Sequence, residues 1–355
     1  MKKVAIIGSV GVPANYGGFE TLIENIIGTN CSSDVEYTVF CSARHYYHKS
    51  RWYKGARLKY IYLSANGMQS ILYDGISLFL SLRGYDSVVA LGVSGGIFFP
   101  LFRLFSRTHL ICNIDGLEWK RGKWNGLAKW FLRFSEELAL RFSHTVIADN
   151  QAIVDYIKRR YQKKTVLIAY GGDHVERSAT TKMHKRVLRD FGVKAGAYAI
   201  MVARVEPENN CEMILRAFSQ ISMPIIMIGN WEHSKFGMEL KRRYSGYNNI
   251  SLIDPIYDLD TLYVLRSDAK YYIHGHSAGG TNPSLVEAMF CGCDILAYDV
   301  SYNRESTENK ANYFSDSDDL LRLLESHSDT SDQMIEIAYR RYNWSLIAQQ
   351  YESLY

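Results

Sequence analysis

Apolar residues along this chain come in short blocks that alternate between two spacings. Residues 3–7 (Lys-Val-Ala-Ile-Ile) form a β-type run closed by Gly8, and residues 19–27 then carry apolar positions at helical spacing. Strand-like runs recur at 36–41, 58–63, 87–91, 109–113, 144–148 and 165–169, and helical patterns fall at 69–82, 125–142 and 150–161. Near-continuous apolar strands separated by helices predict a parallel sheet covered on both faces, one Rossmann-like unit. The alternation then restarts. Strands at 198–202, 224–228, 250–253, 270–274 and 294–298 interleave with helices at 210–219, 234–244, 258–266 and 283–290, which predicts a second doubly wound domain. The turn Tyr170-Gly171-Gly172-Asp173 and the polar segment 174–186 mark the boundary, giving domains at 1–172 and 173–330. Residues 331–355 read as two helices with a break at Asn343. The fold class is α/β, and 355 residues suffice for two such domains.

Composition narrows the class. Apolar residues make up 47% and charged residues 22%, near the globular average, which excludes a disordered or fibrous chain. No apolar run reaches the ~20 residues of a membrane span. The best candidates, 71–82 and 88–105, are broken by Asp74, Gly75, Gly95, Gly96, Pro100 and Arg103. The N-terminal Met-Lys-Lys is followed by too short an apolar stretch for a signal peptide, so a cytoplasmic location is expected. The six cysteines lack ligand spacing and read as buried thiols. Residues 1–172 carry an excess of ten cations and 173–355 an excess of six anions, so the basic half should face an anionic partner.

In doubly wound folds ligands bind beyond the carboxyl ends of the strands, and four motifs stand there. Gly8 to Gly18 joins the first strand to the first helix; Gly8 and Gly11 do not make the GxGxxG of a nicotinamide site, and Gly17-Gly18 offer amides at a helix start. Asn113 to Trp124 places Asp115, Glu118, Trp119, Trp124 and three cations in one loop; its carboxylates suit a base or sugar hydroxyls, and its tryptophans suit pyranose faces. A solvated ion-paired loop would read the same way. Arg204 follows the first strand of the second domain, where a guanidinium can neutralise a diphosphate. His274 to Met289 runs from a strand into a helix opened by Pro283; the amides of Gly280, Thr281 and Asn282 form an anion nest, His276 stands beside it, and Glu287 lies one turn in, suited to a ribose. His274 and His276 have no third ligand at suitable spacing, so they read as core or phosphate-contacting histidines and no metal is expected.

Taken together these residues resemble the GT-B glycosyltransferases of family four, and more closely a rhamnosyltransferase-like subgroup of bacterial cell-surface polysaccharide synthesis. Gly-Val-Pro-Ala-Asn-Tyr-Gly-Gly-Phe-Glu-Thr at 11–21, Gly-Leu-Glu-Trp-Lys-Arg-Gly-Lys-Trp at 116–124, 274–289 and Asn-Trp-Ser-Leu-Ile-Ala at 343–348 carry the match across nearly the whole chain. The resemblance implies two domains facing a cleft, with 331–355 packing back on the N-terminal one. It implies an acceptor on that domain, contacted by Tyr16, Trp119 and Trp124, and a nucleotide-sugar donor, dTDP- or UDP-linked, on the C-terminal one. Arg204 matches the arginine that faces the diphosphate, and Glu287 the second glutamate of an E-x7-E element. Two positions depart from the pattern: Asn209 stands where a lysine is usual, and Gly279 where the first glutamate would be.

The reading is a retaining, metal-independent glycosyltransferase without a cofactor. It moves a hexose or deoxyhexose, L-rhamnose from dTDP-rhamnose foremost, to a lipid-diphosphate-linked glycan. Asp115, Glu118 and Arg204 are the catalytic candidates, and Gly17, Gly18, Asn209 and His276 join the nest as donor contacts. A GT-B nucleotide-sugar epimerase, with Asp115 and Glu118 as acid and base, is the alternative, and a non-catalytic nucleotide-binding protein a more distant one. Basic segments rich in aromatics at 44–59 and 119–133 lead us to expect peripheral binding to the anionic inner face of the cell membrane, with no nucleic-acid partner.

Overall fold

Both alternations become parallel sheets in a computed structural model, which describes residues 1–14, 17–29, 34–114, 116–120 and 125–355. The chain divides into two units, residues 1–170 with 344–355, and residues 171–343.

The first unit contains, in order, β1 (Lys2–Ile7), α1 (Gly18–Thr29), β2 (Val35–Ser42), β3 (Trp52–Tyr53), β4 (Ala56–Ile61), α2 (Gln69–Leu80) and β5 (Ser87–Leu91). It continues through α3 (Phe99–Phe105), β6 (His109–Asn113), α4 (Gly126–Phe142), β7 (Thr145–Ala148), α5 (Gln151–Tyr161) and β8 (Val166–Leu167). Its strand order is β3-β4-β2-β1-β5-β6-β7-β8, parallel except for the short β3 at the edge. The buried runs Val4–Ile7, Val88–Leu91 and Leu110–Cys112 make the central strands apolar on both faces, as a sheet covered by helices requires.

The second unit contains α6 (Thr181–Asp190), β9 (Ala199–Val202), α7 (Cys211–Phe218), β10 (Ile225–Ile228), α8 (Lys235–Tyr244), β11 (Ile250–Ile253) and α9 (Leu259–Ser267). After these come β12 (Tyr271–His274), α10 (Pro283–Phe290), β13 (Asp294–Tyr298), α11 (Ser301–Ser306), β14 (Asn312–Phe314), α12 (Ser317–Glu325) and α13 (Ser331–Arg341). All its strands are parallel, in the order β11-β10-β9-β12-β13-β14. The chain ends with α14 (Trp344–Glu352).

The two C-terminal helices part company. The sequence reading sends all of 331–355 back to the first domain, but α13 buries Met334, Ile337 and Ala338 within the second unit, packed on α10 and β13. Only α14 joins the first unit: Trp344, Ile347 and Tyr351 enter the core beside α1, and Asn113 Nδ2 donates to Tyr351 Oη at 2.6 Å. Several elements have no counterpart in the expected pattern. α3, α6, α11, β14 and α12 are short or mostly polar, and periodicity over so few residues carries little signal.

Asp74 is one of several buried carboxyls of the first unit. It lies inside α2, where the Ser94 hydroxyl and the Gly95 amide donate to it, and burial pushes its carboxyl up to about 7. A carboxyl raised in the fold adds no penalty while protonated and destabilises the fold as pH climbs from its ordinary value near 4 through the raised one. Between pH 5 and pH 8 the wild type should therefore lose about 2 kcal/mol that Asp74→Asn does not lose. Denaturant melts of both proteins at the two pH values check this; parallel losses would remove Asp74 as the source.

Candidate functional site

In the second unit the chain winds from β9 outward to β10 and β11, then crosses to β12, β13 and β14 on the other side. The order therefore reverses between β9 and β12, and the crevice at their carboxyl ends is where an open parallel sheet takes a ligand. Arg204, Asn209, His276 and the 279–282 loop all follow these two strands.

The two strand-end loops are stitched together by side chains. Asn210 Nδ2 donates to the Gly275 carbonyl at 2.8 Å, and the Ser277 amide and hydroxyl both donate to the Glu208 carbonyl at 2.8 Å. Ser284 Oγ donates to the Val202 carbonyl at 2.7 Å, fixing the start of α10 against the end of β9. Gly275 has no room for a side chain, because a Cβ there would sit 2.3 Å from the Asn209 carbonyl oxygen.

Both departures from the family pattern meet at His276. Asn209 Nδ2 donates to the Arg204 carbonyl at 2.7 Å, which turns Asn209 Oδ1 toward His276 Nδ1, and those two atoms are hydrogen-bonded. Nδ1 then carries the proton of the neutral ring, and Nε2 is its acceptor nitrogen. Gly279, at φ +141°, leaves the space that Nε2 faces: a Cβ at 279 would lie 2.8 Å from it. The imidazole thus stands where a glutamate at 279 would begin. Asn303 Nδ2 holds the His276 carbonyl at 2.9 Å.

The Arg204 guanidinium is half-buried and has no hydrogen-bond or ion-pair partner among the described residues. Thr281 is buried and Gly280 half-buried. Asn282 caps α10, its side chain accepting from the Ser284 amide at 3.0 Å, so that one amide is already satisfied. Glu287 is 16% exposed at its side chain and is gripped by Arg266, Nη2 to Oε2 at 2.7 Å, with His174 Nε2 3.5 Å from Oε1. Arg266 is 1% exposed, and its Nε and Nη1 have no hydrogen-bond partner among the described residues. The sequence reading missed it; the available signal was a cation directly after the apolar run 262–265. His274 is a core histidine, stacked with Tyr272 at 6.1 Å, and burial pushes its pKa down.

In the first unit the order reverses between β1 and β5. Gly8 is there for close packing, since a Cβ would lie 2.3 Å from the Leu91 carbonyl oxygen. The loop after β1 is held by acids: the Val10 amide donates to buried Glu20 at 2.8 Å, and the Ala14 amide to Glu24 at 2.6 Å. A Cβ at Gly17 would lie 2.1 Å from Glu20 Oε2, so Gly17 and Gly18 open α1 against a carboxylate of the chain itself. Glu118 and Trp119 form a short turn at 118–120. Trp119 Nε1 donates to Glu136 at 3.1 Å, and Arg133 lies over the Trp119 ring at 5.0 Å. Glu136, fully buried, also accepts from Tyr156 and Tyr161 at 2.8 Å each. Tyr16, Asp115 and Trp124 lie outside the described residues.

Gly275→Ala should disrupt the second unit's site, because the opposing atom is backbone and cannot swing away; a matched Gly246→Ala, with nothing within 4 Å, should not. Thermal melts should place Gly275→Ala several degrees below wild type, consistent with overpacking costs of about 1–3 kcal/mol, and Gly246→Ala beside it. Equal melting of both variants would mean that this close approach is not needed.

Comparison with known proteins agrees with this architecture. Residues 190–341 match the family model of glycosyl transferases group 1, and residues 1–173 match a domain of unknown function, DUF1972. Among curated proteins none matches the sequence significantly. Sucrose-phosphate synthase from Thermosynechococcus elongatus superposes with a TM-score of 0.82 at 16% identity, covering 100% of this chain and 98% of its own. HepE from Anabaena, in complex with UDP-glucose, gives 0.75 at 15% identity over 100% and 99% of the two chains. A glycosyltransferase from Rickettsia africae gives 0.73 at 11% identity over 99% and 97%. The chain has the GT-B fold, and most of its second unit matches the glycosyl transferases group 1 model.

Proposed function

We propose that the chain is a retaining glycosyltransferase that takes a sugar from a nucleotide-sugar donor bound at the β9–β12 crevice. The observation that carries this reading is Arg204, half-buried and without a counter-ion among the described residues, on the loop after β9, the strand whose end Ser284 ties to the start of α10. A guanidinium there can pair with a diphosphate, and amides at a helix start can share its charge. UDP-glucose is bound by the structural neighbour HepE, which supports a nucleotide sugar as that anion.

In this reading Arg204 and the amides of Gly280 and Thr281 stabilise the charge that develops as the diphosphate leaves. Glu287, oriented by Arg266, accepts from the ribose hydroxyls. His276, oriented by Asn209, offers Nε2 to a donor-sugar hydroxyl in place of the missing carboxylate. The departing bond gives the anomeric carbon oxocarbenium character, and the acceptor attacks from the same face. The acceptor is a lipid-diphosphate-linked sugar contacted by Tyr16, Trp119 and Trp124, with Asp115 and Glu118 near it; the donor sugar is a hexose or deoxyhexose, and dTDP-rhamnose is the donor that the motif at 11–21 favours. The protein acts as a peripheral enzyme at an anionic membrane in cell-surface glycan synthesis.

Thermal-shift titration with UDP, dTDP and their sugars, followed by turnover assays with and without acceptor, tests this. Arg204→Ala should lower turnover about a thousandfold, the equivalent of ~4 kcal/mol on a developing charge. Turnover at the wild-type rate in that variant would overturn the site, and nucleotide release without acceptor would favour an epimerase. His276→Ala should weaken the nucleotide sugar about tenfold, a hydrogen bond's worth, while the bare nucleotide binds as before. Since cationic and amide groups meet the diphosphate, turnover should also persist in EDTA.

A further inference from the structure

Two helices of the first unit carry large apolar side chains on their outer sides as well as their inner ones. α2 buries Tyr73 and Leu78 together with Asp74 and Ser77, and leaves Leu72, Ile76, Phe79 and Leu80 exposed, Phe79 at 71%. α4 buries Leu132, Ala139 and Leu140 together with Ser135 and Glu136, and exposes Leu127, Trp130 and Phe134, the last two rings stacked at 5.8 Å on the surface. A helix that faces water keeps its outer side polar. Between them α3 exposes Leu101, Leu104 and Phe105.

The three helices form one surface. Right-handed crossovers from β4 to β5, β5 to β6 and β6 to β7 put all three on the same face of the sheet. The turn at 96–98 joins them: a Cβ on Gly75 of α2 would lie 2.7 Å from the Phe98 ring, and one on Gly96 would lie 2.2 Å from the Ser135 carbonyl of α4. α3 packs directly on α4. Large apolar side chains exposed on three neighbouring helices of one sheet face mark a binding surface.

Charge selects its partner. Exposed Arg83, Arg103, Arg107, Arg133 and Arg141 stand on or beside these helices, against the exposed acids Glu137 on α4 and Asp86 beside α2. A second copy docked through the same patch would set these arginines against one another. Anionic lipid headgroups neutralise them, while the acyl boundary receives the aliphatic side chains and Trp130 settles at the interface.

We propose that the α2–α3–α4 face of the first unit docks into an anionic bilayer surface, its leucines and aromatics inserted and its arginines on the headgroups. The proposal deepens the lipid-linked acceptor reading and names a surface, largely outside 44–59 and 119–133, that would hold the acceptor domain where such a substrate lies.

The test uses the whole protein without nucleotide or acceptor, so that it stands or falls apart from the donor site. Flotation with vesicles of phosphatidylcholine and phosphatidylglycerol, against phosphatidylcholine alone, compares wild type with Phe79→Ser/Phe105→Ser and Arg103→Gln/Arg107→Gln. Wild type should float with the anionic vesicles at low salt. The Phe variant should bind at least tenfold more weakly, and the Arg variant should lose most of its preference for the anionic lipid. Quenching of tryptophan emission by bromolipid should fall in Trp130→Phe. Each variant should keep the wild-type melting temperature, which separates a lost surface from a lost fold. Absence of wild-type binding at low salt would overturn the proposal, as would unimpaired flotation of the Phe variant. So would a wild-type dimer, seen by light scattering, that the Phe variant dissolves.

Discussion

The second unit depends on one close approach, the backbone of Gly275 against the carbonyl of Asn209. It brings two loops 65 residues apart in sequence into hydrogen-bonding distance, closed by Asn210 and Ser277. Everything chemical at the crevice is referred to that contact: Asn209 positions His276, the Arg204 carbonyl positions Asn209, and α10 starts where Ser284 pins it to β9. Because the reference atoms are backbone, the site's geometry is inherited from the sheet rather than from mobile side chains.

Carboxylates do comparable work in the first unit, but as internal fasteners. Glu20 and Glu24 take amides of the loop after β1, Asp74 takes the turn after β5, and Glu136 gathers Trp119, Tyr156 and Tyr161. The loops after β1, β5 and β6 at this sheet's carboxyl edge are each held by a buried acid, and burial pushes the carboxyls of Glu20, Asp74 and Glu136 upward. Inward-facing Asp74 and Glu136 share the inner sides of α2 and α4 with apolar residues, while Leu72, Ile76, Phe79, Leu127, Trp130 and Phe134 stay on the outside.

The mismatch between helix pattern and exposure shows where periodicity misleads. Apolar residues recur at helical spacing along α2 and would be expected in the core, yet Leu72, Ile76 and Phe79 are exposed. Trp119 illustrates the same difficulty for a site residue: by type it suits a sugar face, while its indole N–H is committed to Glu136.

Strand and helix alternation, the restart near residue 171, and the placement of Arg204, His276 and Glu287 after strands were all legible in the residues themselves, because apolar period and chain order decide them locally. Strand order then followed from the connections, and with it the crevice between β9 and β12. Only the tertiary structure decided which unit claims α13, that Arg266 holds Glu287, and that Asn209 and Gly279 make room for and orient one imidazole. Those outcomes rest on contacts between residues tens of positions apart, and a buried polar partner leaves no periodic trace in the sequence that supplies it.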